Sequence, residues 1–230
     1  MTSDQTPMTF QVGIVGSDGV LLASDQKQIA EHVGIASGQY IHKIMVKETI
    51  ACCASGGDVA QYAAELCLNT KLGCNSIEVH MLFCAKKAIR AYRERFRSNP
   101  ERNGGVILLA TDGDRGVMLY KLEMRQREAR LPCRIPSGCV ISGDELNAAI
   151  WFTDRYGPGS RCYPIADYCF LAAHTVLSAG RLNPRGVEGL EIVLCRHGAF
   201  ERIDDEEIQR LAQRSELLDN GVSQQFRPSN

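Results

Sequence analysis

The order of the secondary-structure signals constrains this chain more than any other feature. From 9 to 25 the residues read as strand, tight turn, strand: Phe10, Val12 and Ile14 alternate with Gln11 and Gly13, Ser17-Asp18-Gly19 turns, and Val20 to Ala23 runs on. After a polar loop, 41–46 and 49–54 read as a second strand pair. Two helices follow, over 58–71 with Val59, Ala63 and Leu66 on one stripe, and from a cap at Asn75 or Ser76 to about 97 with Ile77, Met81, Cys84 and Ala88 on its apolar face. Strands at 106–110, 117–122 and 139–142 come next, then helices over 145–156 and 165–177, a closing strand over 190–195 and a terminal helix over 204–218. Strands segregated from paired helices imply an α+β layered arrangement, in which a two-sheet core covered by helices on both sides fits best.

At 230 residues the chain is long enough for one large domain, and no repeat, low-complexity block or linker divides it. Lys plus Arg at 26 against Asp plus Glu at 27 gives a net charge of −1, which leaves no basic field for nucleic acid. The longest apolar runs fall short of a membrane span, and the opening residues lack the basic and apolar regions of a secretory signal, so the cytoplasmic compartment is expected. Ten cysteines are scattered without C-x-x-C or paired His spacing, which points to reduced core thiols and to no metal. Asp112, Asp114 and Glu123 echo a calcium loop only weakly, because Val117 stands where such a loop needs glycine. No cofactor is implied.

The stretch from Thr9 to Asp25, with Val12-Gly13-Ile14, Asp18-Gly19-Val20 and an aspartate closing the second strand, resembles the opening of mature proteasome β subunits and of HslV. Lys43 within His42-Lys43-Ile44, the turn Ala54-Ser55-Gly56-Gly57-Asp58, the hairpin Thr111-Asp112-Gly113 and Ser142-Gly143 follow in that family's order. Taken singly, Thr9 reads as an exposed strand residue, Lys43 as a solvated charge and Ser55 to Asp58 as a helix cap; jointly, in order, they favour the catalytic reading. The resemblance spans about 9 to 198. Within the superfamily the loop 26–40 and Arg181-Leu182-Asn183-Pro184-Arg185-Gly186 favour the betaproteobacterial proteasome homologue, with Anbu more distant.

This resemblance implies a four-layer αββα sandwich of the N-terminal nucleophile hydrolase type, in which residues 1–8 are a leader and 9–230 form the domain. It implies a threonine-type endopeptidase whose nucleophile is Thr9. An N-terminal threonine carries both the attacking hydroxyl and a base, since a free α-amine has an ordinary pKa of about 7.7–8.0. Thr9 must then become terminal, either by self-cleavage after Met8 or by initiation at Met8. Lys43 is expected beside Thr9, neutralised by Asp25, with Ser142 completing the catalytic group and the N–H groups of Ala54 and Ser55 as the oxyanion hole. Removal of Asp25 should cost roughly 3–5 kcal/mol by stranding the lysine.

Two positions depart from the family pattern. Proteasome subunits usually carry an aspartate and, three residues on, a serine near the last strand; Ser178 to Arg185 departs from this, which leaves Asn183, Ser142 or backbone groups as the supports for the amine. Ala54 stands where glycine is common. By resemblance the specificity pocket is lined by Gln28, Met45, Cys52 and Gly56, implying apolar residues before the cut. The implied partners are unfolded polypeptides, further copies in two stacked rings of six or seven, with seven preferred, and an ATP-dependent unfoldase of unknown identity. Two other readings stand beside this one: a small-molecule amide hydrolase of the same class, and a non-catalytic shell subunit.

Overall fold

The computed structural model describes residues 9–29, 36–71, 76–95, 104–114, 116–125, 128–143, 147–159, 161–184 and 186–225. The opening hairpin is formed by β1 (Gln11–Val15) and β2 (Gly19–Ser24), paired antiparallel with Gly13 opposite Leu22 and closed by the Gly16 N–H donating to the Gly19 carbonyl at 2.9 Å. The expected polar loop contains a second, short pair, β3 (Lys27–Ile29) and β4 (Ala36–Tyr40). Next come β5 (Met45–Lys47), β6 (Ile50–Gly56), α1 (Asp58–Asn69) and α2 (Ile77–Arg95). The middle of the chain supplies β7 (Gly105–Thr111), β8 (Met118–Arg125), β9 (Glu128–Ala129), β10 (Cys133–Ile135) and β11 (Gly138–Ser142). Then follow α3 (Asn147–Tyr156), a 3-10 turn (Ile165–Tyr168), α4 (Cys169–Leu182), β12 (Glu191–Arg196), β13 (Ala199–Arg202) and α5 (Asp205–Gln225).

Among the described residues these strands make two main antiparallel sheets. One has the order β11-β1-β2-β12-β13; the other has β10-β8-β7-β6-β5, with β9 added to β8. Alternation along each strand sends its side chains to two different apolar clusters. On β1, Val12 and Ile14 join Leu21, Ala23 and Ile192 under α4 and Leu211 of α5. On β6, Cys52 and Ala54 join Ile107, Leu109 and Leu122 under α1 and α2. The opposite faces meet in a third cluster containing Val20, Leu22, Ala51, Cys53, Leu108 and Val193, which draws on both sheets and on no helix. The centres of both sheets are thus covered on each face, and polar residues at alternating positions there, such as Gln11, are fully buried.

The described cysteines are all free: Cys52, Cys53, Cys67, Cys84, Cys169 and Cys195 are buried, but Cys133 and Cys162 are exposed rather than core thiols. No group of described residues is arranged to hold a metal ion, and no described helix is long and apolar enough to cross a membrane.

Candidate functional site

Thr9 immediately precedes β1 and is half-buried. Residues 9, 11 and 13 share one face of that strand, and this face looks toward the second sheet, since the Gln11 amide reaches Ser55 of β6 and a Cβ on Gly13 would meet Leu119 of β8. The Thr9 hydroxyl therefore opens at the end of the space between the sheets. Lys43 Nζ donates to Thr9 Oγ1 at 3.2 Å and to Asp25 Oδ2 at 2.6 Å. Asp25 closes β2 and is 0% exposed; its Oδ1 accepts from the Phe10 N–H at 2.9 Å and its Oδ2 from the Lys27 N–H at 3.2 Å. The carboxylate is thus tied to the residue following Thr9 as well as to the lysine. Burial pushes the Asp25 carboxyl up and the Lys43 ammonium down, while their mutual attraction pulls each back toward its ordinary value. The buried pair thus presents one ammonium to the Thr9 hydroxyl, and removing either partner would strand the other charge.

Lys43 is held from behind by a residue that sequence reasoning missed. Glu191, the first residue of β12, is buried and lies opposite Ser24 on β2. Its carboxylate accepts the N–H groups of Lys43 and of Ile44, the latter at 2.8 Å, and pairs with Arg202, whose second amino group donates to the Ile44 carbonyl at 2.7 Å. These bonds take the place of strand pairing, so β5 begins at Met45 and not at 41 as the apolar pattern implies. Glu191→Gln keeps the shape but loses the charge facing Arg202. We expect it to lower unfolding free energy by about 1–3 kcal/mol, read by chemical denaturation, and to lower turnover through a less well held Lys43.

On the other flank, Ser142 ends β11 and lies opposite Gln11. Ser142 Oγ accepts from Gln11 Nε2 at 2.5 Å and lies 2.7 Å from Ser55 Oγ; Gln11 Nε2 also donates to Ser55 Oγ at 3.2 Å and to the Val106 carbonyl at 3.1 Å. Gln11 Oε1 is buried and has no donor among the described residues. Gly143 has φ +126°, and a Cβ there would lie 2.2 Å from the Thr9 carbonyl oxygen, so any larger residue would push Thr9 out of place.

The two oxyanion candidates differ in direction. Gly57 N–H donates to the Gly104 carbonyl and Asp112 N–H to the Thr49 carbonyl, both at 2.9 Å. Antiparallel alternation then turns the Ser55 N–H into the β6–β7 ladder, and turns those of Ala54 and Gly56 the other way. With Met45 opposite Cys52, positions 54 and 56 lie beyond the end of β5, on the side of Lys43. Ser55 contributes its hydroxyl to the Gln11 network instead of an N–H group to the cleft.

Of the expected pocket residues, Met45 is half-buried, packs against the cluster under α1 and accepts a contact to Sδ from Gln61 Nε2 at 3.7 Å. Cys52 is a correction: it is 0% exposed within that cluster and offers no surface to a substrate. Gln28 lies on β3 and its side chain is outside the described residues. Asn183 ends α4, its carbonyl accepting from Gly186 and Val187. The same turn is joined to the site through Lys27, whose Nζ donates to the Pro184 carbonyl at 2.7 Å and whose N–H holds Asp25.

No protein-family model and no curated protein matches the sequence. Solved structures do. Anbu (ancestral beta-subunit) from Yersinia bercovieri superposes with a TM-score of 0.72 at 15% identity, over 96% of this chain and 98% of that one. Anbu from Hyphomicrobium sp. strain MC1 gives 0.66 at 13% identity over 96% and 98%, and its Gly-1 mutant 0.67 at 13% over 96% and 99%. The fold is shared with Anbu. At such identities the likeness carries the fold and its full-length correspondence.

Proposed function

We propose that the protein is a threonine-type endopeptidase subunit of a self-compartmentalising, proteasome-like hydrolase, folded as a four-layer αββα N-terminal nucleophile domain. The three apolar clusters, two beneath helices and one between sheets, support that layering. The observation that carries the catalytic reading is the placement of Lys43 Nζ between Asp25 Oδ2 and Thr9 Oγ1. With residues 1–8 removed, the Thr9 amine takes the hydroxyl proton as Oγ1 attacks the peptide carbonyl. The oxyanion that forms is met by the N–H groups of Ala54 and Gly56, and the leaving amine takes the proton back from the ammonium as the C–N bond breaks. Water then cleaves the ester left on Thr9 with the same amine as base. Lys43 stays charged throughout, stabilising the alkoxide and favouring the neutral amine. Gln11 Oε1, buried and without a donor among the described residues, is placed two residues along to help hold that amine, a task we assign to Gln11 with Ser142 in preference to Asn183.

Assembly into two stacked rings of six or seven, in the cytoplasm, would confine cutting to unfolded segments that enter. Turnover should rise with pH as the amine, held by Lys43 below the ordinary value of about 7.7–8.0, loses its proton. Intact mass of the active particle should show Thr9 as the first residue, and an epoxyketone, which needs hydroxyl and amine on one residue, should add once per subunit. Processed protein that forms no adduct would instead be a shell subunit, and a monomer by sedimentation that hydrolyses only small amides would place it among the acylases of the same fold.

A further inference from the structure

On the Ser142 side of Thr9, away from Met45, the sheets and α3 enclose a recess of ≈ 430 Å³. Its inner wall is Val106, Ser142 and Gly143, the groups that bond Gln11 or press against the Thr9 carbonyl. Thr9 itself does not line the recess, but Gly143, which does, lies against the Thr9 backbone. Ile141 and Ile150 supply apolar sides, and the charged lining comes from Lys121 and Glu123 of β8 and Asp154 of α3.

These charges are not equivalent. Glu123 is matched twice, accepting from Lys121 at 2.9 Å and from Arg130 at 3.0 Å. Asp154 is exposed and makes no ion pair among the described residues. A recess with apolar sides and one unmatched carboxylate suits a side chain with a long aliphatic stem and a cationic tip.

We propose that this recess receives the residue immediately following the cut and selects lysine or arginine there, with Asp154 as the specificity-determining residue. The inference rests on the peptidase reading, in which the residue before the cut lies toward Met45 and the leaving segment on the opposite flank. The stem would lie along Ile141 and Ile150 and the cation would face Asp154. Glutamate at that place would meet an unmatched like charge.

The test uses processed, assembled protein and quenched peptides identical except for Lys, Arg, Gln or Glu after the cut, at low salt because an exposed carboxylate is screened. We expect kcat/KM for Lys and Arg to exceed that for Glu about fivefold. Asp154→Lys should reverse the order, with the Glu peptide now exceeding the Lys and Arg peptides and the Gln peptide still cut. Equal rates for all four peptides, or an order that Asp154→Lys does not move, overturn the inference while continued cutting of the Gln peptide leaves the peptidase reading intact. Should no peptide be cut, the peptidase reading fails, and the recess is judged by binding: labelled peptides beginning with Lys must bind more tightly than those beginning with Glu, with the preference reversed in Asp154→Lys, or the assignment is wrong.

Discussion

A Thr9→Ala protein should fold as the parent does and cut nothing. Thr9 is half-buried and touches the machinery through one hydroxyl, so its loss removes a single 3.2 Å contact from Lys43, and a surface-like stability change within about 0.5 kcal/mol is expected. The chemistry, by contrast, loses its only nucleophile. No neighbour can substitute, because the Ser142 and Ser55 hydroxyls are bound to each other and to Gln11, and neither carries an amine. Turnover should fall at least about 10³-fold. Coincident denaturation curves with absent activity would assign the hydroxyl to catalysis; retained activity would remove Thr9 from it altogether. The same variant cannot cleave its own chain after Met8, so intact mass tells self-cleavage from removal of an initiating methionine.

Asp25→Asn should damage both the fold and the rate. The amide can still accept from the Phe10 N–H, but it leaves the Lys43 ammonium buried without its counter-ion, at a cost of roughly 3–5 kcal/mol. The pH dependence follows from the direction of the lysine shift. Burial already holds Lys43 below its ordinary value and the attraction of Asp25 is what pulls it back. Without that attraction the folded pKa drops further. The deficit is then fully present below the lowered value and shrinks as pH rises from it toward the ordinary lysine value near 10.4, since a neutral amine is buried at less cost. Urea denaturation at pH 7 and pH 9.5 should show the gap between variant and parent narrowing at the higher pH. A gap that widens, or a variant as active as the parent, would mean that the pair does not govern Thr9.

The hairpin of β1 and β2 and the helix pairs lie in stretches whose periodicity is set locally, whereas the grouping of Thr9, Asp25 and Lys43 was implied only by the resemblance to proteasome β subunits, since taken singly each reads as an ordinary surface or strand residue. The pair β3–β4 escaped notice because polar and small residues fill it, so alternation has nothing to display. The helix expected to stop at 177 runs to Leu182, through Gly180, where a Cβ would lie 3.0 Å from the Val187 carbonyl oxygen. Gln11 read as the polar half of an amphipathic strand, yet a sheet covered on both faces has no wet side. Glu191 left no local trace at all, since it meets Lys43 across 148 residues, and the hydroxyl bond from Ser55 to Ser142 spans 87. Long-range polar contacts are specified by topology, which one sequence expresses only once folded.

On the peptidase reading, the Glu191 clamp also separates the making of the site from its bracing. Translation delivers Thr9, Asp25 and Lys43 first, and the carboxylate that holds the Lys43 backbone and the guanidinium that holds Ile44 arrive only with β12 and β13. A ribosome-bound chain that stops short of those strands carries the proposed catalytic trio without its brace. Truncation before 191 should therefore yield an inert product, and the chain is held from its own chemistry until β12 and β13 have emerged.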